Sequence, residues 1–355
     1  MMMRLLSLLV SFSCLLSPLD PGPGDESVAL EWTQLPTIPN TPGVASPYVG
    51  TSGNVLLVAG GANFPDAPPW RNGTKVWHDD VYALIDQQWR IVGKLPKPMA
   101  YGVSLQTSRG VLCVGGSDAQ SHLTDVFLMR FVAGQIEFES LPDLPLPIAN
   151  ACGARTGSTV YVAGGTESPG STQASSSFYS LDLSAEKPQW KKLPDVPGPG
   201  RMLSVAASDE KSIFIFSGAS LAAGNHGKPV RNYLRDSWQF DIAGNAWKRQ
   251  TDLPFAAVAA PSPAAVTKSG KIIVLGGDDG SHVGFKPPEQ HPGFSTTALV
   301  YDPAADRWTS EIALSISRVT VPLVAVSDGF ILASGEVRPG IRSPEVWRLR
   351  IVEQK

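Results

Sequence analysis

Short apolar runs that end in two small residues recur along the chain. They occupy residues 55–61, 111–116, 160–165, 213–218, 272–277 and 330–335. Apolar runs of this length, bounded by glycine, predict buried β-strands. Their final glycines are Gly61, Gly116, Gly165, Gly218, Gly277 and Gly335, a spacing of 49 to 59 residues. A repeat of this length is typical of kelch-type β-propeller blades.

A second repeated element is an aromatic residue followed by a Leu-Pro pair. It occurs at Trp32, Trp89, Phe138, Trp190 and Trp247, whereas Trp308 lacks the proline. Each repeat also contains a strand before the glycine run and another after it, so each has four predicted strands. Four-stranded units arranged radially are propeller blades. The sequence therefore predicts an all-β fold, a six-bladed kelch-type β-propeller.

The two ends of the chain complement each other. The first aromatic-Leu-Pro element precedes every glycine run, and the glycine run at 330–335 has no such element after it. We therefore expect a strand at about 28–34 to complete the sixth blade and close the ring, which would protect the blade edges from aggregation. The predicted propeller domain covers residues 25–355.

The N-terminal residues differ from the rest of the chain. Arg4 precedes an apolar stretch at 5–16, and Pro18 ends it. The stretch is too short to span a bilayer, and a charged start before a short apolar run is typical of a secretory signal. We expect residues 1–24 to form this signal with a short linker, Cys14 to leave with it, and the protein to be periplasmic or secreted. An uncleaved anchor is the alternative.

The 355-residue composition narrows the classes of partner. The net charge is −3, with acidic and basic residues interspersed. This excludes the clustered basic face of a nucleic-acid-binding protein, and no membrane partner is expected beyond export.

Cys113 and Cys152 lie in apolar strands. They could pair in an oxidising compartment, but buried free thiols are the favoured interpretation. The oligomeric state is left open.

Polar residues concentrate in the loops that follow the glycine strands. In a four-stranded antiparallel blade these loops and the inter-blade loops emerge on one face, so this face is predicted to bind the ligand. The loops after the glycine strands hold His78, His122, His226, His282, His291, Arg231, Asp278 and Arg338. Arg201 and Arg318 lie in the inter-blade loops, directly before innermost strands.

The sharpest local pattern is SGEVRPGIRSP at residues 334–344. Glu336 follows a buried strand, and Pro339-Gly340 can form a tight turn that returns Arg342 towards Glu336. A carboxylate can transfer protons when its pKa is suitable, and an arginine can bind a substrate carboxylate in bidentate fashion. The alternative is a structural ion pair at the base of a loop.

Other chemistries have weaker support in the sequence. The histidines lack a short metal-ligand spacing, although His282, His291 and Asp278 could converge in space. The adjacent Asp278 and Asp279 could supply carboxylates for glycoside hydrolysis, but such a pair beside glycine is usually turn chemistry. No Gly-x-Ser-x-Gly segment indicates acyl transfer. We therefore predict no metal and no cofactor.

Several segments resemble the kelch-type sialic acid mutarotases, the N-acetylneuraminate epimerase family. They lie at 60–70, 72–84, 233–238, 275–280, 291–294, 318–324 and 334–346. In that family the segment that ends in Pro-Gly-x-Arg precedes the Asn-Gly-to-His loop, and here the order is reversed. The resemblance therefore implies a cyclically permuted member, which a closed ring tolerates without losing any blade contact.

The resemblance also implies an activity and a site. Glu336 would be the proton acceptor and Arg342 its substrate-binding or catalytic partner, while Asn72 and His78 match further family positions. Additional contacts with the substrate are expected from Arg201, Arg231, Arg318, Arg338 and Asp278. The implied reaction interconverts the α and β anomers of sialic acid by acid–base ring opening and closure, without a cofactor or metal.

Rival functions remain open at this level, because a propeller fold does not dictate function. The first is a non-catalytic kelch module that binds a sugar or a protein. A sialidase would carry Ser-x-Asp-x-Gly-x-Thr-Trp repeats, which the sequence lacks. A copper oxidase would need a cysteine-linked tyrosine, and Cys113 and Cys152 lie in unsuitable strands.

Overall fold

The computed structural model describes residues 27–224 and 229–354. The predicted signal and linker at 1–24, with Arg4 and Cys14, lie outside the described residues, as does His226. Within the described ranges, no helix is both long and apolar enough to cross a membrane.

Cys113 and Cys152 are both buried free thiols, as favoured from the sequence. Burial raises the pKa of Cys152 to about 12.

Short strands account for nearly all of the regular structure. The first half of the chain contains β1 (Ser27–Leu35), β2 (Tyr48–Ser52), β3 (Val55–Ala59), β4 (Ala62–Asn63), β5 (Val76–Trp77), β6 (Asp80–Ile85), β7 (Gln88–Lys94), β8 (Val103–Thr107), β9 (Gly110–Val114), β10 (Val126–Val132), β11 (Gln135–Ser140), β12 (Cys152–Thr156), β13 (Thr159–Ala163), β14 (Phe178–Asp182) and β15 (Lys191–Leu193). The second half contains β16 (Val205–Ser208), β17 (Ser212–Phe216), β18 (Ala219–Ala223), β19 (Pro229–Tyr233), β20 (Ser237–Asp241), β21 (Ala246–Gln250), β22 (Ala265–Val266), β23 (Ile272–Leu275), β24 (Thr297–Asp302), β25 (Arg307–Ala313), β26 (Leu323–Val326), β27 (Gly329–Ala333), β28 (Glu336–Arg338), β29 (Ile341–Arg342) and β30 (Val346–Gln354). Short 3-10 helices cover Pro69–Arg71 and Pro288–Gln290.

The described strands form six four-stranded antiparallel sheets, which are the blades of a β-propeller. From first to sixth, the blades are β2-β3-β6-β7, β8-β9-β10-β11, β12-β13-β14-β15, β16-β17-β20-β21, β22-β23-β24-β25 and β26-β27-β30-β1. Two-stranded hairpins β4-β5, β18-β19 and β28-β29 extend from the first, fourth and sixth blades. The glycine run is the second strand of every blade, so the predicted six-bladed all-β architecture is confirmed.

The N-terminal strand closes the ring as predicted. Strand β1 pairs antiparallel with β30, from Ser27 opposite Gln354 to Leu35 opposite Val346. It is therefore the outermost strand of the sixth blade, whose other three strands come from the end of the chain. Because the two ends share one sheet, the first and last segments of the propeller hold each other in place.

The repeated tryptophans couple the outer strands of neighbouring blades. The Trp89 indole donates to the carbonyl of Pro36 at 2.7 Å, so the first blade is tied to the Leu-Pro pair of the sixth. The same contact recurs at 2.8 Å for Trp190 with Pro142 and Trp247 with Pro194. This contact explains why the aromatic residue and the Leu-Pro pair recur together in the sequence.

A closed ring of backbone hydrogen bonds surrounds the central channel. Its members are Ser46, Tyr101, Asn150, Leu203, Ala259 and Thr320, all with left-handed φ between 47° and 63°. The N–H of each residue donates to the carbonyl of the member from the preceding blade, at 2.6–3.2 Å, and Ser46 donates to Thr320 to complete the circle. Left-handed backbone is uncommon outside glycine. Here it lets each blade contribute one donor and one acceptor to the ring.

Candidate active site

A cavity of about 520 Å³ opens above this backbone ring, on the face that carries the long loops. Ring residues Tyr101, Asn150, Leu203, Ala259 and Thr320 form its floor. Its walls come from the loops after the glycine strands. These loops lie on the face that the sequence predicts to bind the ligand. A cavity of this size can hold a single sugar-sized ligand.

The repeat gives the residue after each glycine run an equivalent position, and in three of the blades this residue lines the cavity. It makes a β-bridge with a residue of the segment that leads into the innermost strand of its blade, as Asp278 does with Val258 and Glu336 with Val319. Asp278 and Glu336 therefore hold equivalent positions in the fifth and sixth blades, and both line the cavity. The scaffold thus fixes two carboxylates at the channel mouth.

Glu336 is held by hydrogen bonds to both of its carboxylate oxygens. Its Oε1 accepts from the backbone N–H of Gly340 at 2.7 Å, and its Oε2 accepts from the Thr320 hydroxyl at 3.3 Å. The side chain is 15% exposed, so it reaches the cavity while most of it is packed. A carboxylate oriented in this way can accept a proton from a bound ligand.

Arg342 lies beside Glu336 on the β28-β29 hairpin, as the Pro-Gly turn predicted. Its Nη1 lies 3.5 Å from Oε1 of Glu336, and the arginine side chain is only 4% exposed. The guanidinium also covers the ring of Phe64, 4.9 Å from its centroid. Among the described residues, the buried Nε and Nη1 of Arg342 have no hydrogen-bond partner. Donors left unmet in this way suit an anionic ligand.

Gly340 makes the local geometry possible. Its φ of +78° is in the left-handed region, and a Cβ there would meet Pro69 Cγ at 2.7 Å. A side chain would therefore strain the turn and displace the loop of the first blade. Since its N–H also orients Glu336, this glycine links the turn directly to the carboxylate.

The first blade contributes a lysine to the same cavity. Lys75 directly precedes β5, and its ammonium lies 4.8 Å from the Trp77 ring centroid and 4.1 Å from that of Tyr101. Burial lowers the pKa of Lys75 to about 8, assisted by the positive charge of Arg342 and opposed by Glu336. Burial also raises the pKa of Tyr101 to about 12. Lys75 is thus a cation that can lose its proton near neutral pH.

Other parts of the cavity wall come from the second, fourth and fifth blades. Arg231 of β19 lines it, together with Asp278, whose Oδ2 accepts from the Tyr233 hydroxyl at 2.7 Å. His122 also lines it, with Nδ1 2.8 Å from the carbonyl of Thr166. Because a carbonyl only accepts, Nδ1 carries the proton and Nε2 of the neutral ring is an acceptor. Burial lowers the pKa of His122, which favours that neutral ring.

Two arginines expected to contact the substrate lie elsewhere. Arg201 is 1% exposed, and its guanidinium binds both carboxylate oxygens of Asp236, at 2.8 and 2.7 Å. Arg318 is also buried and pairs with Glu345 and the Ser343 hydroxyl. Neither lines the cavity. Each guanidinium is committed to an acid of its own blade, so substrate contacts from Arg201 and Arg318 stay a prediction that these ion pairs do not favour.

Three further predicted residues support the loops without lining the cavity. His78 Nε2 lies 2.9 Å from Oδ1 of Asn63, and so fixes the base of the β4-β5 hairpin that presents Lys75. Asn72 ends the 3-10 helix at Pro69–Arg71 in a left-handed conformation. Arg338 donates to the backbone carbonyl of Glu289 at 3.0 Å. Direct sugar contacts from His78, Asn72 and Arg338 stay a prediction.

The remaining loop histidines form part of an aromatic group. The rings of His282 and His291 lie 5.7 Å apart, and both pack against Phe285. His291 also approaches Phe294, which lines the cavity. Over residues 27–224 and 229–354, no group of three or more His, Cys, Asp or Glu side chains is arranged to hold a metal ion.

The structure brings together Glu336, Arg342, Arg231 and Asp278 from the predicted set. It adds Trp77, Tyr101 and Phe64, which sequence reasoning did not select, and also Lys75 and His122, which the sequence placed on the loop face without a specific role. Lys75 and Trp77 lie within the Asn-Gly-to-His segment, so a signal for them was present in the sequence. Tyr101 could be found only by aligning the residues that precede the innermost strands of successive repeats.

Comparison with known proteins identifies the family. A profile described as N-acetylneuraminate epimerase matches residues 25–137 and 141–285, well over half of the chain. Proteins named N-acetylneuraminate epimerase are similar in part: that of Yersinia pestis is 40% identical over 109 residues, covering 27% of this chain and 27% of the relative.

The relative from Yersinia enterocolitica is 34% identical over 130 residues, covering 32% of this chain and 33% of the relative. That of Haemophilus influenzae is 26% identical over 232 residues, covering 58% of each chain. The matched regions therefore span between about a quarter and three fifths of the length of these relatives. Because the profile matches well over half of the chain, the chain belongs to the N-acetylneuraminate epimerase family.

Proposed function

We propose that this protein is a sialic acid mutarotase, an isomerase that interconverts the α and β anomers of N-acetylneuraminate. The observation that carries the proposal is the pair formed by Glu336 and Arg342 at the cavity, with 3.5 Å between the carboxylate and the guanidinium. Family membership and the names of the relatives support the choice of substrate.

The spacing of the pair fits the chemistry of a keto sugar acid. In such a sugar the anomeric carbon carries both a carboxylate and the hydroxyl whose proton must leave for the ring to open. A guanidinium with unmet donors would bind the carboxylate, and the adjacent Glu336 would then meet the hydroxyl on the same carbon. Holding both groups in this geometry favours the open keto form, whose reclosure on either face gives the two anomers.

The cavity supports the remaining contacts of a polyhydroxylated ligand. Asp278, neutral His122 and Arg231 in the cavity wall offer acceptors and donors for hydroxyl and amide groups. Tyr101, Trp77 and Phe294 supply apolar surface for the carbon skeleton. A kelch module that only binds a sugar would share these walls, but would have no use for a carboxylate placed beside an arginine with unmet donors.

Anomer exchange measured by NMR on freshly released sialic acid tests the proposal directly. Wild-type protein is expected to accelerate equilibration above the spontaneous rate at protein concentrations far below that of the sugar. Buffer alone and heat-unfolded protein provide the baseline. If neither sialic acid nor a related keto sugar equilibrates faster with the folded protein, the enzyme is excluded and the binding module takes its place.

Replacing Arg342 with lysine tests whether geometry or only charge holds the substrate. A lysine keeps the charge but cannot form two parallel hydrogen bonds to a carboxylate. We expect KM to rise about 10- to 100-fold, since a hydrogen bond to a charged group contributes about 1.5–3 kcal/mol. Arg348→Lys is the matched control, because Arg348 pairs with Asp328 in an exposed ion pair of the sixth blade. An unchanged KM in Arg342→Lys would remove Arg342 from carboxylate binding.

We also propose that the protein is exported to the periplasm or beyond the cell, on the basis of Arg4 and the apolar run that follows it. Mass spectrometry of protein from its native host should find a mature chain that lacks most of residues 1–24. A matched form expressed without residues 2–24 should stay in the cytoplasm. A full-length chain beginning at Met1 in the cytoplasmic fraction contradicts export.

We also propose that the chain is cyclically permuted relative to other members of the family. The family match ends at residue 285, ahead of the segment that contains Glu336 and Arg342. A collinear comparison would stop in this way if that segment occupied a different place in the chain order of the relatives. The closed ring offers a physical reason for tolerance, because β1 and β30 already join the two ends in one blade.

A further inference from the structure

Lys75 is the cavity cation that the proposed function does not yet use. It lies on the first blade, next to the hairpin that carries Glu336 and Arg342, and it lines the same cavity. Strands β4 and β5 pair at Ala62–Trp77 and Asn63–Val76, which fixes the backbone on either side of the loop. His78 and Asn63 brace the base of this hairpin. The position of Lys75 is therefore built into the fold.

The surroundings of the Lys75 ammonium are unusual for a lysine. It lies against the faces of Trp77 and Tyr101. Among the described residues it forms no hydrogen bond or carboxylate ion pair; the charged groups that act on it are Arg342 and Glu336. A cation held by ring faces keeps its N–H donors available to a ligand, because ring faces attract the charge without taking up the protons as an oxygen would.

Ring opening of a cyclic keto sugar needs two proton transfers. The anomeric hydroxyl loses its proton as its oxygen forms the carbonyl, and the bond between the anomeric carbon and the ring oxygen breaks. The electron pair of that bond goes to the ring oxygen, which becomes a hydroxyl only when it receives a proton. Glu336 as a carboxylate can accept the first proton but has none to give to the ring oxygen at the same moment.

Resting on the proposed function, we propose that Lys75 is the general acid that protonates the ring oxygen as Glu336 deprotonates the anomeric hydroxyl. In the opening step the ammonium gives one proton and becomes an amine, while Glu336 becomes a carboxylic acid. After rotation about the bond beside the carbonyl, the hydroxyl returns its proton to the Lys75 amine as it attacks the carbonyl carbon. The carbonyl oxygen takes the proton from Glu336, so both groups are restored.

Lys75 fits this role better than its neighbours do. Its pKa of about 8 keeps the ammonium protonated at neutral pH yet leaves it acidic enough to give up the proton. The Tyr101 hydroxyl has its pKa raised to about 12, which makes it a far weaker acid. Arg342 cannot lose a proton in a protein, and it is assigned to the carboxylate.

Replacing Lys75 with arginine separates proton transfer from positive charge. Arginine keeps the charge over the aromatic rings but cannot release a proton. In the NMR exchange assay we expect kcat to fall about 100-fold or more with little change in KM. Lys94→Arg is the matched control, since Lys94 is an exposed lysine of the same blade, paired with Asp79 at 2.8 Å. Circular dichroism establishes that both variants are folded.

The pH profile gives a second readout. A general acid must be protonated, so wild-type kcat should fall as pH rises through about 8, the pKa of Lys75. In Lys75→Arg this alkaline limb should disappear from the residual rate. A lysine needed only for its positive charge would also lose the limb in Lys75→Arg, but that variant would keep the wild-type rate below pH 8. A structural lysine would leave the limb unchanged in the arginine variant.

A measurement without substrate makes the outcomes distinguishable. In protein labelled with ¹³C-lysine, one side-chain resonance should titrate near pH 8 and be absent from Lys75→Arg. If wild type accelerates exchange but Lys75→Arg keeps its full rate and profile, the role of Lys75 is overturned and the mutarotase stands. If wild type shows no acceleration, the mutarotase fails and the role of Lys75 falls with it, whatever the titration shows.

Discussion

Replacing Glu336 with glutamine is expected to remove nearly all catalysed anomer exchange while the propeller stays folded. Glutamine keeps the size and shape of the side chain but is no base at neutral pH. The loss should be about 10²- to 10⁴-fold in kcat, the usual contribution of general acid–base catalysis. Exchange of sialic acid anomers by NMR, corrected for the spontaneous rate, measures it.

The structure indicates why this variant should fold. The amide oxygen of glutamine can still accept from the Gly340 N–H, which Glu336 accepts at 2.7 Å. The buried Arg342 loses its counter-charge, so a modest drop in stability is expected, and thermal unfolding must be followed beside activity. Glu137→Gln is a suitable control, because Glu137 is an exposed acid of the second blade, 3.5 Å from Arg130.

The outcomes discriminate between roles for Glu336. A folded Glu336→Gln protein that exchanges anomers at the wild-type rate would exclude this carboxylate as the base. A protein that loses activity only because it unfolds would show a matching loss in circular dichroism. Loss of kcat in a folded protein, with KM nearly unchanged, is the expected result.

The propeller could be predicted because its determinants are local and repeated. Each glycine run is a short buried strand, and the spacing of the runs gives the number of blades without any long-range contact. Ring closure followed from the missing element at each end, and the pairing of β1 with β30 confirms it. The ring of backbone hydrogen bonds could not be foreseen, because its residues, such as Ser46, Leu203 and Thr320, share a backbone conformation but no side-chain type.

The candidate active-site residues also divide into those that the sequence could predict from local features and those that it could not. Glu336 and Arg342 lie on one hairpin, so a local turn sufficed to bring them together. Lys75, Tyr101 and His122 belong to other blades and meet them only once the ring has closed. Their contribution depends on how far each loop reaches over the channel, which composition and spacing do not determine.

Arg201 and Arg318 show how repeat position could have refined the prediction. Both directly precede a residue, Met202 or Val319, that forms a β-bridge with the residue after the glycine run. Residues at equivalent repeat positions take equivalent orientations, and both arginines turn from the channel towards an acid of their own blade. Loop polarity alone suggested ligand contacts, whereas a comparison of repeat positions would have suggested paired structural ions.

Replacing Asp236 with alanine should therefore destabilise the protein strongly without affecting the reaction. Arg201 would remain buried with its charge uncompensated, and breaking a buried pair from one side costs about 3–5 kcal/mol. The free energy of unfolding from chemical denaturation measures the loss. Asp328→Ala is the matched control, since Asp328 pairs with Arg348 at the surface and should contribute about 1 kcal/mol or less.

The pH dependence of stability tests the same ion pair. Burial alone would raise the pKa of Asp236, but hydrogen bonds from Arg201 and its positive charge outweigh burial and lower that pKa below its ordinary value. A lowered pKa in the folded state means that the stabilisation is complete above the ordinary aspartate pKa of about 3.9 and is lost as pH falls below it. The gap between wild type and Asp236→Ala should therefore narrow in acid. The KM of Asp236→Ala, measured under conditions where the variant is folded, should equal that of wild type because Arg201 lies outside the cavity. A large rise in KM would instead indicate that Arg201 takes part in substrate binding.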